Sequence, residues 1–172
     1  MYRGKIRKAL VLALAVFTLL PTWGAFGQGQ EKHTIILVTS ASADTIQSLT
    51  LEEAKAIYLR QLAVLHGKGV IPIQRQINSD IRLAFNRLVM KMDESELKNY
   101  WIKKKLAGEE DPPKSFDSLN SLVCMLMKKP GTIGYMEESQ LTAELKKKIA
   151  VIPLKGENGL LKPTSERYPL RY

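Results

Sequence analysis

Two periodicities alternate along the chain. Thr34-Ile35-Ile36-Leu37-Val38 is an unbroken β-branched and apolar run, which predicts a strand buried on both faces. Thr39 to Gln47 is small and polar and predicts a loop. Thr50-Leu51-Glu52-Glu53 opens a helix, with Thr50 as N-cap, Glu53 completing a capping box, and Ala54, Ile57 and Tyr58 on the inner face. His66-Gly67-Lys68-Gly69 is turn chemistry, and Val70 to Gln74 is a second strand. Ile81, Phe85, Leu88, Val89 and Met92 then recur at helical spacing, a core-facing stripe from Ser79 to Met92.

Asp93 or Ser95 caps a further helix through Leu97, Trp101 and Leu106, and Gly108 ends it before the extended Asp111-Pro112-Pro113. A helix from Asp117 carries Cys124 and stops at Pro130-Gly131, followed by a short strand at Thr132 to Tyr135. A helix from Ser139 to Lys147 leads into a last strand, Ile149 to Leu154, and the Gly- and Pro-containing tail after Gly156 is expected to wrap the surface. Strands alternating with helices predict an α/β fold whose central sheet is at least partly parallel.

The first residues change the picture. Arg3, Lys5, Arg7 and Lys8 precede an apolar run from Ala9 to Leu20, short for a membrane span, then Pro21 and the small residues Ala25 and Gly27. This predicts an export signal over 1–27, cleaved after Gly27, and a periplasmic or otherwise exported domain over 28–172. A retained membrane anchor is the alternative. The net charge is +9, so removing four leader cations leaves 9 − 4 = +5. The remaining lysine runs suit solvated helix faces and attract anions; no aromatic-basic motif suggests nucleic acid. Cys124, the sole cysteine, lies in an apolar stretch and is expected to be buried and inert.

Catalytic patterns are not found. His33 and His66 have no Cys, Asp or Glu at ligand spacing, and the Glu pairs at 52–53, 109–110 and 137–138 are adjacent, so they point to different faces. The sequence reading is therefore a non-enzyme with no cofactor and no metal. The informative segment is Ile71 to Phe85: a buried strand ending in Arg75, a polar turn, and a helix beginning at Ser79. A helix start leaves N–H groups free and suits an anion, with Arg75 supplying charge-assisted bonds. Ser79 has two readings, as cap of its own helix or as hydroxyl donor to an oxyanion. Asp80 at the helix start repels an anion, and Arg82 is either its partner or the anion's.

Four blocks resemble the phosphate-binding subunit of bacterial phosphate ABC importers. Leu49 to Leu59 is similar to the family's helix ending in "IFLG", with Arg60 in place of Gly; Arg75 to Phe85 resembles its "R-x-D-G-S-G-T…F" turn; Pro130 to Tyr135 resembles "PGAIGY"; and Lys162-Pro163-Thr164 with Tyr168 to Tyr172 resembles its "PT…YPL-R-Y" end. The resemblance implies a compact periplasmic-binding-protein-like lobe with a central mixed sheet flanked by helices. It implies phosphate or another small oxyanion as ligand, with Arg75 as clamp, Ser79 as donor, Arg82 nearby, and Ser40 and Ser42 on the opposite wall. A membrane permease is the implied partner, and a homodimer could supply a second wall. Within the turn only Arg75 and Ser79 match; Ile77, Asp80 and Ile81 stand where the family has Asp, Gly and Thr. The chain is also about half the family's length. The alternative function is an envelope interaction or adaptor protein that keeps the fold without the ligand.

Overall fold

A computed structural model describes residues 33–42 and 46–172; the expected leader and its cleavage point lie outside the described residues. The central sheet has five strands in the order β5-β4-β6-β1-β7. These are β1 (Ile35–Ser40), β4 (Ile71–Arg75), β5 (Lys114–Phe116), β6 (Thr132–Glu137) and β7 (Ile149–Ile152). β4 runs parallel to β5 and β6, while β1 runs antiparallel to β6 and β7, so the sheet is mixed. Two hairpins decorate it, β2 (Val64–Leu65) with β3 (Lys68–Gly69), and β8 (Leu154–Gly156) with β9 (Gly159–Leu161).

Helices cover both faces. On one lie α1 (Leu51–Tyr58), α2 (Asp80–Phe85) and α3 (Glu94–Leu106); on the other lie α4 (Leu119–Lys128) and the short α5 (Ala143–Lys146). The strand period of two sorts β1 accordingly: Ile35 and Leu37 join the first core cluster, Ile36 and Val38 the second. At the centre of the first cluster, Phe85 stacks on Tyr135 with centroids 3.9 Å apart, and Tyr58 meets Phe85 at 4.6 Å. Tyr58 donates its hydroxyl to the Ile133 carbonyl at 3.2 Å, which satisfies the polar tip of a fully buried ring.

Several expectations hold at the level of single residues. The Thr50–Glu53 capping box forms, as does an Asp93–Glu96 box that settles which residue starts α3. Others are corrected. Thr39 and Ser40 belong to β1 rather than to a loop, because both still pair with β7. The stripe from Ile81 continues past Phe85 as a π-helical segment, Asn86–Met90, which ends at Lys91 in the left-handed region. The expected helix after β6 is broken into a 3-10 turn, Glu138–Gln140, and α5. Pro153 divides the expected last strand into β7 and β8. β5 was not anticipated from its short, prolyl-led sequence.

Cys124 is exposed, not buried. The inner face of α4 is set by Leu122, Val123 and Leu126, and the helical step of about 100° turns Cys124 outward. The helix through Leu97, Trp101 and Leu106 forms as α3, with Leu97 buried and Leu106 83% exposed at its end. The tail does not merely wrap the surface. Leu170 and Tyr168 enter the first core cluster, and Arg171 bridges antiparallel to Thr34 beside β1.

Candidate functional site

The parallel register brings the C-terminal ends of β4, β5 and β6 to one end of the sheet, where ligands commonly bind in α/β folds. Arg75 closes β4 there. Its N–H donates to the Tyr135 phenol oxygen at 3.2 Å, tying the strand end to the aromatic core. Burial pushes the Tyr135 hydroxyl well above its ordinary value, opposed by the Arg75 N–H and the nearby Arg82 and Arg75 charges. The phenol is therefore a fixed neutral group. Arg75 shares a face with Ile73, two residues back, and pairs across the sheet with Phe116. Its Nε and Nη1 are buried and have no hydrogen-bond partner among the described residues.

The turn after Arg75 passes through Asn78 at φ 63°, then extends at Ser79. The Ser79 hydroxyl donates to the Gln76 carbonyl at 2.7 Å and does not cap α2. The hydroxyl closes its own turn rather than capping its helix, so the first N–H groups of α2 receive no side-chain acceptor from it. Asp80 is exposed at the first position of α2, and Ile77 is 56% exposed on the turn.

Arg82 was left open between Asp80 and an anion, and the structure gives it other partners. It is buried at 4% exposure. Its Nη1 donates to the Arg75 carbonyl at 3.0 Å and to the Ser115 hydroxyl at 3.1 Å, and its Nη2 pairs with Glu94 at 3.2 Å. The other Glu94 oxygen accepts from Asn86 at 2.6 Å. Arg82 is thus a brace that fixes the Arg75 backbone between β5 and α3. Gln74, whose side-chain amide donates to the Pro113 carbonyl at 2.7 Å, fixes β4 to the approach of β5 in the same way.

Ser40 and Ser42 stand elsewhere. Val38 faces Gly134 and Ile71 faces Thr132, so Ser40 lies level with Ile71, at the opposite end of the sheet from Arg75. Four residue steps separate those levels, roughly 13 Å at 3.3 Å per step. The two hydroxyls bond each other at 2.8 Å, and Ser40 is buried. Their expected role as the wall facing Arg75 fails on strand direction: β1 is antiparallel to β4's neighbour β6, which residue composition does not reveal. Sequence reasoning also missed Glu94, Tyr135 and Gln74. Glu94 carries the signal of an acid in a helix's first turn, but its pairing with Arg82 requires the fold.

Among the described residues, no three His, Cys, Asp or Glu side chains are grouped to hold a metal ion. No described helix is long and apolar enough to cross a membrane.

No protein-family model matches the chain, and no curated protein matches it. Solved structures do. An ABC-type phosphate transport receptor from Vibrio cholerae superposes with a TM-score of 0.60 at 15% identity, over 81% of this chain and 54% of that one. PstS from Borrelia burgdorferi gives 0.61 at 14% identity, over 81% and 55%. A putative phosphate ABC transporter substrate-binding protein with bound phosphate from Clostridium perfringens gives 0.54 at 16% identity, over 72% and 45%. At such identities the likeness is one of fold, and the chain spans about half the length of the structures it matches. This chain has the periplasmic-binding-protein-like α/β fold seen in those phosphate transport receptors.

Proposed function

We propose that this protein is an exported, non-enzymatic binding module that takes phosphate or another small oxyanion at the end of β4. The observation that carries the reading is the Arg75 guanidinium, with Nε and Nη1 buried and unpartnered. Leaving such donors unmade costs free energy, and a charge-assisted pair with an oxyanion recovers it. The strand end that presents them is braced by Arg82 and Tyr135, so little ordering accompanies binding. Ser79 follows Arg75 by four residues, and its hydroxyl can rotate from the Gln76 carbonyl toward a ligand. Arg82 contributes by positioning rather than by contact.

Ser40 and Ser42 cannot supply the facing wall, so a second copy of this chain or a permease of the ABC type is the proposed source. Sedimentation showing monomer at saturating phosphate removes the dimer. The second reading, an adaptor that keeps the fold without the ligand, is favoured by Ile77 and Asp80, an exposed apolar group and an anion on the same turn.

The test is a thermal melt in phosphate-free buffer with and without added phosphate. A ligand at one hundred times its Kd adds about 2.7 kcal/mol to the folded state, a rise of roughly 5 to 10 °C for a domain of this size. The rise is expected in the native protein and in Ser40→Ala, and absent in Arg75→Met. No rise with phosphate, sulfate or related anions moves the conclusion to the adaptor.

A further inference from the structure

A cavity of about 570 Å³ lies between α3 and the β4–β5 side of the sheet. It does not include Arg75. Its walls are largely apolar: Ile77, Leu97, Trp101, Ile102, Pro112 and Pro113. Ile77 and Ile102 are 56% and 46% exposed, so two large aliphatic side chains meet solvent across one concavity. The size is that of a small-molecule site, and inorganic phosphate neither fills it nor matches its walls.

The charges around it do not cancel. Arg82 and Glu94 line the cavity but are paired with each other. That leaves Lys98 and Lys105 against Asp111. Among the described residues, neither ammonium group makes a side-chain hydrogen bond or ion pair. They are seven residues apart, two turns along one side of α3, about 10.5 Å by helical rise. Their flexible stems let both ammonium groups approach one headgroup between them.

The framework is preformed. The Asp93–Glu96 box fixes the start of α3, and Tyr100 donates to the Leu59 carbonyl at 2.8 Å. Pro113 is buried, and its carbonyl is held by Gln74. An added peptide strand fits this groove poorly. The adjoining edge strand, β5, is three residues long and follows two prolines that have no N–H to offer.

From this geometry we infer that the α3 groove is a separate site for an amphipathic organic anion, an apolar acyl- or aryl-sized body lying on Trp101 and Ile102 with its carboxylate between Lys98 and Lys105. The inference stands whether or not Arg75 binds phosphate.

The test uses the full chain carrying Trp23→Phe, so that Trp101 is the only tryptophan, and decanoate as probe. Saturable change of Trp101 fluorescence is expected. Binding should weaken tenfold or more in Lys98→Glu/Lys105→Glu and in Ile102→Glu, exposed positions whose substitution leaves the urea midpoint nearly unchanged. Arg75→Met should bind decanoate as the parent does. Decyltrimethylammonium, with the same chain and the opposite charge, should bind at least tenfold more weakly. No saturable change up to millimolar decanoate, equal response to the cationic analogue, or unaltered affinity in both variants overturns the inference.

Discussion

Removing Glu94 tests whether Arg82 is a brace. The Arg82 side chain is 5% exposed and the Glu94 side chain 28%, with 3.2 Å between Nη2 and the carboxylate. Glu94→Ala deletes that pair and the 2.6 Å bond from Asn86. Breaking a buried pair by removing one partner costs about 3 to 5 kcal/mol, because a charge stays buried without compensation. Water reaches the Glu94 side of the pair, and Arg82 keeps the Arg75 carbonyl and Ser115, so the lower end applies, about 3 kcal/mol. At a urea slope of about 2 kcal/mol/M the midpoint falls by about 1.5 M. Arg82→Met/Glu94→Ala removes both charges and should be more stable than the sum of the single changes by about 2 kcal/mol. Equilibrium urea unfolding of the four proteins gives the cycle. A Glu94→Ala loss below about 0.5 kcal/mol, as for an exposed pair, or strictly additive changes, would refute the brace.

Gly131 and Gly108 both sit at positive φ, 79° and 71°, but a Cβ at Gly131 runs into the Gly69 carbonyl while one at Gly108 meets open space. Gly131→Ala should therefore cost more than about 2 kcal/mol and Gly108→Ala about 1, measured by urea unfolding; equal losses would contradict the close approach. Cys124 should react with a thiol reagent in native buffer as fast as in denaturant, and Cys124→Ser should leave stability within about 0.5 kcal/mol. For Glu137, burial raises the carboxyl, but bonds from Tyr172 and His33 outweigh it and hold the group below the ordinary 4.5. Its contribution is present above that value and is lost as pH falls through the depressed folded value. The stability gap between native protein and Glu137→Gln should accordingly close on acidification below about pH 4.5, and a gap constant with pH would sink the assignment.

What the sequence disclosed was mostly local. The capping box at Thr50, the apolar run of β1 and the stop at Pro130-Gly131 are each fixed by neighbours within a few residues, and each forms. The class of fold followed from alternating periods. What could not be read depends on contacts distant in sequence. β5 is recruited by pairing with β4, not by its own propensity. The antiparallel insertion of β1 beside β6 separates Ser40 from Arg75, although both residues end strands in the fold. Arg82 looks like an anion ligand until Glu94, 12 residues on, is folded against it. Cys124 shows the limit of an apolar run as evidence of burial: α4 is apolar on most sides, and only its facing row is covered.

On this reading, the buried Nε and Nη1 of Arg75 are held without a partner for a ligand. The most direct measurement is calorimetric titration of phosphate-free protein with phosphate near neutral pH, on the native chain and on Arg75→Met, with urea stability recorded for both. Saturable heat is expected in the native protein and none in the variant, and the unliganded variant should be at least as stable as its parent, because two unsatisfied buried donors are gone. Binding that survives in the variant, or a variant destabilised in the absence of ligand, would show that Arg75 serves the fold and not the anion.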